Sequence, residues 1–134
     1  MKYVIIFLGT LLSTVNCYAS NNFKCVVKGS FTLEKNGKLS AETDVAKSNM
    51  NKEFVVNRIT GQITGGGFVN TMSGQMPTVL DYLPKENGYK AITIYKPNPT
   101  VDYLQINEYV EGKEKPFFYK GAWGSMVSGI CTYY

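Results

Sequence analysis

Apolar and polar residues alternate with period two through most of this chain, most clearly between positions 89 and 110. In Tyr89-Lys90-Ala91-Ile92-Thr93-Ile94-Tyr95, Ile92 and Ile94 fall on one face and Tyr89, Ala91, Thr93 and Tyr95 on the other. After Pro97-Asn98-Pro99-Thr100, Leu104, Ile106 and Val110 share a face opposite Tyr103 and Tyr109. β-branched and aromatic residues at this density predict two long strands, and the Pro/Asn break forces a connection between them. With the aliphatic set assigned to the core, Tyr95, Tyr103 and Tyr109 form a stripe on the outside.

The same period marks shorter strands. Phe23, Cys25 and Val27 share a face near the start. Phe31–Glu34 and Lys38–Ala41 flank Lys35-Asn36-Gly37. A two-residue Asn36-Gly37 loop would set Leu33 against Ser40. A three-residue loop pairs Leu33 with Leu39 and puts Gly37 where a left-handed conformation is needed, so the longer loop is expected. Residues 42–52 lack a strand period, and 44–50 read as a short helix or a loop. Residues 53–58 return to strand, and Gly61 is expected to end a three-residue loop before Gln62-Ile63-Thr64. Gly65-Gly66-Gly67 has no P-loop lysine after it and reads as a sheet edge or tight crossing. Residues 78–84 read equally as helical turn or strand. Residues 115–120 and 126–133 complete eight or nine strands joined mostly by hairpin-like loops. The expected fold is a single all-β antiparallel domain, a closed or nearly closed barrel, with a β-sandwich as the alternative.

The N-terminus changes the picture of where this domain works. Lys2, the apolar run from Val4 to Leu12 and Cys17-Tyr18-Ala19 have the layout of a secretory signal peptide cleaved after Ala19. The expected division is therefore a signal peptide at 1–19 and the β domain at 20–134, periplasmic or secreted. No stable membrane span is expected after cleavage, because the apolar run is too short. Two cysteines survive cleavage, Cys25 and Cys131, and an even count in an exported chain predicts a disulfide between them. That bond, tying the first mature strand to the last, is the reason to favour a barrel.

The candidate chemistry is sparse. The chain has no histidine, which removes Ser-His-Asp and Cys-His catalysis. Two cysteines without histidine make a poor zinc site, and no calcium-loop spacing appears, so neither metal nor cofactor is expected. The formal charge of +4 is spread along a chain whose only arginine is Arg58, which argues against nucleic acid as a partner. Glu108 falls between Ile106 and Val110 on the face assigned to the core. It is expected to be buried and paired, with Lys115 or Arg58, or to mark a wet rim. The aromatic residues Tyr95, Tyr103, Tyr109 and Trp123 are the candidate binding residues, since tyrosine offers large contact area and a polar tip. Cross-strand ladders that only stabilise the sheet are the competing reading. The expected function is non-catalytic binding of a protein partner, inhibitor-like or immunity-like. A barrel carrying a small apolar ligand and a glycan hydrolase using carboxylates are the alternatives. A contiguous apolar cavity would favour the carrier and two acids facing across a cleft the hydrolase.

Overall fold

The computed structural model describes residues 22–81 and 88–134. The expected signal peptide, residues 1–19, lies outside them. Nine strands are present among the described residues: β1 (Phe23–Leu33), β2 (Leu39–Ser40), β3 (Glu53–Val56), β4 (Ile63–Thr64), β5 (Thr78–Asp81), β6 (Tyr89–Tyr95), β7 (Thr100–Ile106), β8 (Lys115–Lys120) and β9 (Met126–Tyr133). One short helix, α1 (Asp44–Asn49), is capped by the Thr43 side chain, which accepts a hydrogen bond from Ala46 N–H, as an N-cap threonine does.

The strands form one antiparallel sheet in the order β4-β3-β1-β9-β8-β7-β6-β5, with β2 paired to β1 alone. The sheet curls into an open half-barrel, which corrects the expectation of a closed barrel and equally that of a sandwich. Cys25 and Cys131 are bonded as expected, directly opposite each other in the β1–β9 ladder. However, β3 and β4 extend the sheet beyond β1. The disulfide therefore lies in the middle of the sheet and marks no seam.

Side chains bridge the gap where a closing ladder would run. The Asn70 amide accepts from the Ile63 N–H (2.8 Å) and donates to the Gly61 carbonyl (2.9 Å). It thus takes the place of a neighbouring strand's peptide along β4. The Asn70 carbonyl in turn accepts from Thr93 Oγ1 on β6 (2.8 Å). Edge groups satisfied in this way do not need a closing β4–β5 ladder.

The concave face holds the core. Phe23, Phe54, Phe117, Tyr89 and Tyr119 meet across it with Phe68, which comes from the β4–β5 connection. Phe54 packs edge-on against Phe117 and Phe68, both at 5.2 Å between centroids. On β6 the inward residues are Tyr89, Ala91, Thr93 and Tyr95, while Ile94 is exposed. This reverses the expected faces of that strand. Paired residues share a face, and Ala91 pairs with Leu104 and Tyr89 with Ile106. Once Leu104 and Ile106 point inward, Ile92 must point outward beside Tyr103. The tyrosines are accommodated because their hydroxyls find buried acceptors. Tyr89 donates to the Arg58 carbonyl (3.0 Å) and Tyr95 to the Asp102 carboxylate.

The first hairpin has the expected register, Leu33 opposite Leu39, with a positive φ at Gly37. Both leucines are exposed, so turn geometry rather than burial sets this register. The β3–β4 loop has four residues, one more than expected, since Asn57 N–H bonds to the Gln62 carbonyl and Gly61 N–H to the Asn57 carbonyl.

Candidate functional site

Three connections meet at one end of the half-barrel. Ala122-Trp123-Gly124 forms the three-residue loop between β8 and β9. Gly121 N–H bonds to the Ser125 carbonyl (2.8 Å), and Gly124 N–H to the Gly121 carbonyl (3.0 Å). Gly124 takes a positive φ, matching Gly37 in the first hairpin. This tight turn throws Trp123 outward, where it is 83% exposed. The β6–β7 turn is tied to it by Thr100 Oγ1, which donates to the Ala122 carbonyl (3.1 Å). The 72–75 segment is tied on by Gln75 Oε1, which accepts from the Lys96 N–H (3.0 Å).

Between these connections runs a groove of about 450 Å³, walled by Met72, Tyr95, Pro97, Pro99, Ala122 and Trp123. A smaller cavity of about 220 Å³ shares Met72, Ala122 and Trp123 and reaches Phe68, Asp102 and Tyr119. Asp102 is 2% exposed. Its carboxylate accepts from the Tyr95 hydroxyl and the Ala122 N–H. Burial, and then the Asp102 hydrogen bond, push the Tyr95 phenol well above the ordinary tyrosine range. Burial and the Asp102 charge do the same to Tyr119. Both phenols therefore stay protonated, and Tyr95 donates to Asp102. Among the described residues no lysine or arginine forms an ion pair with Asp102.

Charge is balanced differently at Glu108, in the turn after β7. Its side chain is fully buried and receives both terminal nitrogens of Arg58 at 2.8 Å, as well as the Tyr133 hydroxyl at 2.7 Å. The guanidinium lies over the Phe23 ring, 5.1 Å from its centroid. Of the two cations expected as partners of Glu108, Arg58 is the one that pairs with it. Lys115 turns instead to the Val110 carbonyl.

The four aromatic residues singled out in the sequence do not form one surface. Tyr95 and Trp123 both border the groove, though Tyr95 is buried on the concave side. Tyr103 lies on the convex face opposite Ile92, its hydroxyl on Gln105 (2.9 Å). Tyr109 is exposed in the turn after β7. Asp102 was missed, although the alternation that placed Leu104 and Ile106 inward placed it inward too. Met72 and Phe68, in an irregular connection, carried no periodic signal.

Among the described residues no group of three histidine, cysteine, aspartate or glutamate side chains could hold a metal ion. No helix among them is long and apolar enough to cross a membrane. The disulfide is consistent with a non-cytoplasmic, oxidising space. No family model matches the chain, and no curated protein or solved structure is similar to it. The site is therefore read from its own chemistry.

Proposed function

We propose that this chain is an exported, non-catalytic binding protein, inhibitor-like or immunity-like, that docks a protein partner on the rim around Trp123. The observation that supports the reading is the indole itself, exposed at the tip of a hydrogen-bonded hairpin and bordering an apolar groove. An aromatic side chain held in place by its backbone gives large contact area at small entropic cost, and tryptophan is enriched among interface anchors. Tyr95 supports the groove wall in this reading. Tyr103 and Tyr109, remote from the groove, have no part in the contact. Export would remove residues 1–19, so the intact mass of protein recovered from the cell envelope or medium should begin at Ser20.

The test compares wild type, Trp123→Ala and Tyr109→Ala in capturing and then titrating the protein partner. Truncating an interface anchor costs about 2 kcal/mol or more of affinity. Trp123→Ala is expected to lose at least that much, and Tyr109→Ala to bind as wild type does. Undiminished affinity in Trp123→Ala would remove this rim as the docking surface.

A further inference from the structure

We propose that the smaller cavity beside Trp123 binds an alkylammonium group, delivered either as a lysine side chain of the docked partner or as a free amine. The proposal rests on, and deepens, the reading of the Trp123 rim as a binding site. Asp102 carries it. A carboxylate removed from water usually has a cation beside it, and this one is held only by neutral donors, a phenol and a peptide N–H. A carboxylate offers about four acceptor positions, so about two remain beyond those two donors. Asp102 also lines the cavity, among Phe68, Tyr119, Trp123 and the Met72 thioether. Aromatic faces around a buried negative charge attract an organic cation more than a hydrated metal ion. The volume, about 220 Å³, accommodates the end of a lysine chain. The chain's own Lys52 places its ammonium 5.8 Å from the centroid of Phe68, a ring that lines the cavity, and hydrogen-bonds to Asn49 (3.2 Å), so its charge opposes a second cation on that ring.

Trp123 is the only tryptophan in the chain, so its fluorescence, excited selectively over the tyrosines, reports on the cavity and the groove it borders, and the Asp102 variant separates the two. The purified exported protein is titrated with n-butylammonium chloride, with n-butanol as the neutral isostere and with N-acetyl-lysine methylamide, at constant ionic strength. The expected result is saturable quenching by butylammonium in the millimolar range. Asp102→Asn should weaken it about tenfold, and butanol should be at least as weak. Lys52→Met leaves Asp102 and its donors untouched and should bind about twofold more tightly, because a like charge is gone. Butanol binding as well as butylammonium would reduce the cavity to an apolar slot and overturn the proposal. So would an unchanged affinity in Lys52→Met, or in a folded Asp102→Asn, and so would the absence of saturable binding by any probe. Tighter binding of the lysine amide than of butylammonium assigns the group to a partner's side chain. The reverse order assigns it to a free amine. The titration needs no partner protein, so a Trp123→Ala variant that still captures its partner would remove the docking reading while leaving this result standing.

Discussion

Arg58 and Glu108 show how a single ion pair is made to count. The carboxylate is fully buried and the guanidinium is both bidentate and stacked on an aromatic ring. Removing one member strands the other without water. Arg58→Met is therefore expected to lose about 3–5 kcal/mol of stability in urea unfolding, and Glu108→Gln a smaller amount, because the neutral amide still accepts hydrogen bonds. Tyr133 belongs to the same cluster. Burial, then its hydrogen bond to Glu108, push its phenol up to about 12. Tyr89, Tyr95 and Tyr119 are raised further, each mainly by burial. A phenol whose pKa is higher when folded binds its proton more tightly in the folded state. Its contribution is present below the unfolded value near 10 and is lost as pH rises through the folded value. Alkaline unfolding should thus set in above about pH 10, with a shallower pH dependence in Tyr133→Phe. Absorbance titration of the phenolates alongside circular dichroism would follow both.

At the level of elements, two hairpins share one device. Gly37 and Gly124 each end a three-residue loop at positive φ. A Cβ at Gly124 would meet open space, so Gly124→Val tests backbone conformation without a clash. It should cost on the order of 1 kcal/mol or more and loosen the Trp123 tip. Leu39→Thr, on an exposed residue of the first hairpin, should change stability by about 0.5 kcal/mol or less. Gly129 is different, because it faces the bulge of β1 between Val27 and Gly29. A Cβ there would lie 2.0 Å from the Val26 carbonyl oxygen. Gly129→Ala should therefore cost about 2 kcal/mol or more. Its signature would be faster amide exchange in β1 and β9 alone.

At the scale of the whole molecule, a covalent bond and a polar bridge tie strands that lie far apart in sequence. The bond between Cys25 and Cys131 spans a sequence separation of 106, for which the chain-entropy model gives about 4–5 kcal/mol. A Cys25→Ala/Cys131→Ala variant should unfold at markedly lower denaturant concentration, and unreduced wild type should titrate no free thiol. The bridge is Asn70, which joins β4 to β6 across the open side of the half-barrel. Asn70→Ala leaves the Ile63 N–H and the Gly61 carbonyl without their partner, at about 1–3 kcal/mol each if they stay buried. Faster exchange of the Ile63 amide, with the β1–β9 centre still protected, would locate the opening at that edge.

The sequence alone determined most of the strands, the three-residue loop before Leu39 and the pairing of Cys25 with Cys131, and it named Arg58 as one of two candidate partners of Glu108. These follow from local periodicity, from turn chemistry and from having few partners to choose among. Only the tertiary structure decided that Tyr89 and Tyr95 face inward. The register between β6 and β7 overrides the apolar ranking of side chains, and each phenol then finds an acceptor that is remote in sequence or lies on the neighbouring strand. It likewise decided that the sheet stays open, since a disulfide fixes which strands are neighbours but not which strands lie beyond them. The site at Trp123 was half legible. An indole between two glycines can be read from the chain. The groove beneath it exists because Met72, Pro97 and Ala122 are brought together by curvature, which no local pattern encodes.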